Sequence, residues 1–119
     1  MNIYSTTVTN LGPGAGDFLE EKMIILFKGD APAELAEFCI LHEENELTGT
    51  VQSGDTLHLG EHSFTITAVG SAVDKNLEAL GHITIKADGS AEPDLPGTLN
   101  IEEAELPTIH AGDKIQIIR

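Results

Sequence analysis

Apolar residues along this chain come in short runs separated by Gly, Asp and Asn, the pattern of many short strands joined by close turns. I-Y-S-T-T-V-T (3–9) is rich in β-branched residues and predicts a first strand. L-G-P-G-A-G breaks it, and G-D-F-L-E-E starts a short helical turn. M-I-I-L-F-K (23–28) is a continuous apolar run between turn signals, the mark of a fully buried strand. A-P-A-E-L-A-E puts a proline ahead of good helix formers and predicts one or two helical turns. F-C-I-L-H (38–42) predicts the next strand. It ends on a histidine and runs into E-E-N-E-L.

E-L-T-G-T-V-Q, D-T-L-H-L and H-S-F-T-I-T-A-V predict three more strands, with hairpins at S-G-D and G-E. S-A-V-D-K-N-L-E-A-L-G is the clearest helix, at about 71–80: Ser71 suits the N-cap, Asp74 the first turn and Gly81 the stop. Val73, Leu77 and Leu80 share one face, which predicts packing on the sheet. H-I-T-I-K-A, G-T-L-N-I and K-I-Q-I-I supply the last strands. S-G-D-T-L-H-L (53–59) and A-G-D-K-I-Q-I (111–117) predict one turn-into-strand geometry used twice. The sum is a mainly β chain: a compact single-domain β-barrel or sandwich over 1–119, with one proper helix and short helical turns.

Composition sharpens this. With 40% hydrophobic but 4% aromatic residues, the core must be aliphatic. A formal charge of -14 with only six scattered Lys and Arg excludes nucleic acid, which such a surface repels, and favours protein partners with basic patches. The single cysteine, Cys39, cannot form an internal disulfide. The N-terminus lacks a basic, then apolar leader pattern, and no run reaches the roughly 20 apolar residues of a membrane span. A cytoplasmic chain with no membrane insertion is expected.

The chemistry rests on five histidines, His42, His58, His62, His82 and His110. No H-x-H or H-E-x-x-H is present, and a hairpin at Gly60-Glu61 would put His58 and His62 on opposite faces, so no metal or other cofactor is expected. Cys39 and His42 are three apart on a presumed strand, so they point apart, and Cys39 reads as a small core residue. His110 reads as a surface residue before a turn. His42 closes one apolar strand and His82 opens another, at a barrel rim where a side chain is held rigidly and still meets solvent. Position alone leaves a satisfied structural imidazole and a functional one both open. E-E-N reads as a solvated turn; a nearby carboxylate or carbonyl could fix the His42 tautomer and free the other nitrogen.

F-C-I-L-H-E-E-N-E-L, then T-I-T-A-V-G-S-A-V-D-K-N-L-E-A-L-G-H-I-T-I-K and P-G-T-L, resemble the glucitol/sorbitol IIA component of the bacterial phosphoenolpyruvate-dependent sugar phosphotransferase system, over essentially the whole chain. The resemblance implies a phosphoryl carrier. It would accept phosphate from the carrier protein HPr on a histidine, here His42, and pass it to a cysteine of the IIB component. No Lys or Arg neighbours His42 in sequence, so backbone amides at Gly70-Ser71-Ala72 are expected to hold the phosphate, with His82 in support. A homodimer through an edge strand is a further expectation. The rival readings are a non-catalytic regulatory or binding barrel and, third, a metal-dependent enzyme.

Overall fold

A computed structural model describes residues 1–119. Its elements run β1 (Asn2–Leu11), α1 (Ala15–Glu20), β2 (Met23–Lys28), α2 (Ala33–Ala36), β3 (Ile40–His42), β4 (Glu46–Leu47), β5 (Thr56–Leu59), β6 (His62–Val69), α3 (Val73–Leu80), β7 (Ile83–Lys86), β8 (Thr98–Ile101) and β9 (Lys114–Ile118). The strands pair in the order β3-β2-β7-β8-β6-β5-β9-β1-β4, and β3 also pairs with β1. That last pairing closes eight strands into a barrel and leaves β4 attached to β1 alone. Closure removes the exposed edges that an open sheet of short aliphatic strands would present. The pairs β2–β3 and β7–β8 are parallel and the rest antiparallel.

β1 is the strand on which the site is built. Its alternate residues Tyr4, Thr6 and Val8 are all buried, so the one polar member of that row, Thr6, must find a partner inside. One side of β1 pairs first with β4 (Ser5 opposite Glu46) and then with β3 (Val8 opposite His42). Between those pairs β1 spends Thr6 and Thr7, while the facing chain spends Glu43, Glu44 and Asn45. The extra residue makes a bulge, and Asn45 absorbs it with φ +45. The E-E-N segment is therefore a bulge in a strand and not a free turn.

The hairpin at Gly60-Glu61 holds in the expected register, Leu59 opposite His62 and His58 opposite Ser63. The two S-G-D/A-G-D turns also match. Gly54 and Gly112 have φ +96 and +94. Asp55 and Asp113 accept from the amides of Gln52 and His110, at 2.9 and 2.8 Å. The strands that follow, β5 and β9, are neighbours.

Five expectations are corrected. S-G-D is no hairpin, because β4 pairs with β1 whereas β5 lies between β6 and β9; the chain crosses the barrel there. The strand expected over 46–52 stops at Leu47, where pairing with β1 ends. Phe38 and Cys39 precede β3, their carbonyl and amides being used by the turns around Gly12 and α2. Ser71 is not the cap of α3: Ala72 is, and the chain there is satisfied by backbone, Gly70 N–H on the Thr98 carbonyl and Ala72 N–H on that of Pro96. Val73 and Leu77 are buried as expected, but Leu80, on the last turn of the helix, is 46% exposed.

Candidate functional site

His42 lies at the inward face of the β3 end, and its ring is fully buried. Nε2 stands 2.7 Å from the carbonyl of Gly81, and Nδ1 stands 2.7 Å from Oγ1 of Thr6. A carbonyl only accepts, so Nε2 carries the proton and Nδ1 carries the lone pair, which accepts the Thr6 hydroxyl. Thr6 Oγ1 in turn accepts the Asn45 amide at 3.0 Å. The chain runs in one direction, Asn45 N–H to Thr6, Thr6 O–H to His42, His42 Nε2–H to Gly81.

Two elements fix this geometry. Gly81 is the left-handed C-cap of α3 (φ +61), and a Cβ there would lie 2.5 Å from Lys28 Cγ and 2.8 Å from His42 Cε1. Only glycine lets the helix end settle on the ring. The bulge is the other. Tyr4 O–H donates to Asn45 Oδ1 at 2.7 Å, and Asn45 Nδ2 donates to the Leu77 carbonyl at 2.8 Å, tying β1, the bulge and α3 together. Glu44 points outward, accepting from Thr7 and paired with Lys114 at 2.9 Å. Glu43 lies over Gly29.

Burial pushes the His42 pKa below its ordinary value; the Gly81 carbonyl and the Glu43 charge oppose the shift, and the Lys28 charge adds to it. The ring is therefore neutral at neutral pH. Lys28 is the missing cation near His42. Sequence distance hides it, but the parallel pairing of β2 and β3 sets Lys28 directly opposite His42.

The expected phosphate site at Gly70-Ser71-Ala72 is not built. Its Gly70 and Ala72 amides are already bonded, and it lies at the far end of α3 from Gly81, about 12 Å along the helix axis. Nor does His42 meet solvent at the rim, because Gly81 covers it. His82 is half-buried, donates from Nδ1 to the Leu26 carbonyl at 2.9 Å and stacks on Phe27 at 4.6 Å between ring centroids. Phe27 alternates with Leu26 and Lys28 along β2, so His82 sits on the opposite face of that strand from His42. Cys39 is buried, with its thiol pKa raised by that burial. Thr6, Asn45 and Lys28 are the participants that sequence reading passed over. The available signal was a polar residue at an inward position of an otherwise apolar row.

Residues 3–116 match the family model of the PTS system glucitol/sorbitol-specific IIA component. The chain belongs to this family. It is 43% identical over 99 residues to the PTS system glucitol/sorbitol-specific EIIA components of Shigella flexneri and Escherichia coli K12, covering 83% of this chain and 80% of each relative. The crystal structure of a PTS system IIA component from Enterococcus faecalis V583 superposes with a TM-score of 0.83 at 31% identity, over 97% of this chain and 99% of that one. As a glucitol/sorbitol-type IIA component, the chain is a phosphotransfer component of the sugar phosphotransferase system and works with its other components. No helix is long and apolar enough to cross a membrane.

Proposed function

We propose that this chain, as one IIA domain in the cytoplasm, carries a phosphoryl group on His42, accepting it from HPr and passing it to a cysteine of IIB during glucitol/sorbitol uptake. The observation that carries the reading is the His42 ring itself: neutral, rigidly held and hydrogen-bonded at both nitrogens inside a family member's barrel mouth. A neutral imidazole has the lone pair that a nucleophile needs.

The Thr6 side of the ring is sealed, whereas the Gly81 side borders half-buried Lys28 and exposed Leu80. The reacting nitrogen is accordingly Nε2. A hydroxyl both donates and accepts, so Thr6 can follow the ring into the Nδ1–H form, which moves the lone pair to Nε2. Release of the Gly81 carbonyl then opens that nitrogen. The Nε2 lone pair forms the new N–P bond while the donor's N–P bond breaks and its electron pair returns to the donor imidazole. In the second step a IIB thiolate attacks phosphorus and the electron pair of the broken bond returns to His42. Positioning and charge stabilisation carry such a transfer.

The charge of -14 suits a donor with a basic face, giving an encounter rate that falls with salt. Pairing of two copies through a strand edge has only the two-residue β4 to build on, so the proposed working form is the single barrel. The test is intact-mass spectrometry after incubation with phosphoenolpyruvate, enzyme I and HPr. The native chain should gain one acid-labile phosphate and His42→Ala none. No gain by the native chain, with the carrier shown to be active, returns the protein to the binding-barrel reading.

A further inference from the structure

We propose that Lys28 is the cation that receives the phosphoryl group on His42, an inference that rests on the phosphorylation of His42 argued above. Lys28 and His42 are in-register partners on parallel strands, and both follow the inward row that begins with buried Leu26 and Ile40. Side chains so paired stand on the same face. Their proximity is also visible under Gly81, where the space a Cβ would take is bounded by Lys28 Cγ and His42 Cε1. The lysine stem and the imidazole thus share one niche, on the side of the ring where Nε2 lies.

The charge pattern points the same way. Lys22, Lys86, Lys114 and Arg119 pair with Glu103, Asp94, Glu44 and Asp55. Lys28 forms no ion pair, in a chain with 20 acidic residues. The other unpaired lysine, Lys75, is exposed on α3. A half-buried cation left without a counter-ion is unfavourable in the resting protein and is matched when a dianionic phosphoryl group arrives beside it. The need is real, because Glu43 places a negative charge near the same ring. Before transfer the same ammonium opposes protonation of His42 and keeps a lone pair available.

The experiment compares native protein, Lys28→Met, Lys28→Arg and His42→Ala, each incubated with phosphoenolpyruvate, enzyme I and HPr. Phosphate gain is followed by intact mass, and the bound phosphoryl group is titrated by ³¹P NMR. Met keeps the apolar stem, and urea unfolding verifies that each variant is folded. Lys28→Met should gain phosphate at least about tenfold more slowly. Its phosphoryl group should titrate at higher pH, since the cation that favours the dianion is gone. Lys28→Arg should restore most of both. Native rate and native titration in Lys28→Met overturn the proposal while leaving phospho-His42 intact. Equal slowing in Met and Arg with an unchanged titration also overturns it, because packing and not charge would then be responsible. If His42→Ala gains phosphate like the native chain, the phosphohistidine assignment fails first and Lys28 falls with it.

Discussion

Thr6 and His42 meet inside the barrel mouth, hydroxyl to Nδ1 at 2.7 Å, and neither has any exposed surface. The hydroxyl donates to the ring and accepts the Asn45 amide, so it satisfies groups on both sides of the bulge. Thr6→Val keeps the shape and removes both bonds. Unfolding in urea should show a loss of about 1 to 3 kcal/mol, the cost of leaving buried polar groups unpaired. The ¹⁵N shifts of the His42 ring should keep the Nε2–H pattern that the Gly81 carbonyl imposes, with the Nδ1 shift moved by loss of its hydroxyl donor. Unchanged stability and shifts would mean that Thr6 does not set the ring.

Asn45 combines a left-handed backbone with side-chain bonds to Tyr4 and Leu77. Asn45→Ala should cost about 2 kcal/mol or more. Asn45→Gly should recover about 1 kcal/mol of that loss, because glycine accepts the positive φ but cannot replace the amide group. Denaturation midpoints of the two variants measure the separate backbone and side-chain contributions. Equal midpoints would contradict the backbone part.

The pH dependence of stability follows from His42. Its folded pKa lies below the ordinary 6.5 because of burial. As pH falls below 6.5, the unfolded chain takes up a proton that the folded chain still refuses. Stability therefore rises with pH across the window between the folded pKa and 6.5, is lost as pH falls through it, and gains no slope from His42 above it. Asp55 and Asp88, lowered from 3.8, and Glu44, lowered from 4.5, act further down. The partners that outweigh burial for Asp55 are Arg119 and the Gln52 amide, for Asp88 the Ser90 amide and Asn100, and for Glu44 they are Thr7 and Lys114. Their contribution is present above those ordinary values and is lost below them. Unfolding free energy measured from pH 8 to about pH 3 should fall in two stages, and His42→Gln should abolish the upper stage alone.

His82→Ala separates packing from chemistry. It removes the Phe27 stack and the bond to the Leu26 carbonyl, so the melting temperature should drop, by an amount equivalent to about 1 kcal/mol. Phosphate gain from HPr should continue at the native rate, because the ring faces away from His42 across β2. A slowed gain in a protein of near-native stability would bring His82 back into the mechanism.

Local pattern settled most of the strands, though not the ends of β3 and β4, together with the helix stop at Gly81, the hairpin at Gly60-Glu61 and the twin turns at Gly54 and Gly112. Each of these depends on residues within a few positions of one another: β-branched runs, turn glycines, an aspartate reaching back to an amide. The family signature around His42 was local as well. Only the tertiary structure decided what surrounds that histidine. Thr6 reaches it from another strand, Lys28 reaches it through the register of β2 on β3, and Gly81 reaches it from the end of α3. These three are separated from His42 by 36, 14 and 39 positions, and closing the eight-stranded ring brings them together. The same closure set E-E-N, whose two acids stay exposed, as a bulge between β3 and β4, and it is the C-terminal end of α3, not the Gly70-Ser71-Ala72 end, that meets His42. A strand's period shows which residues face inward; which strand lies opposite, and in what register, depends on how the whole sheet closes.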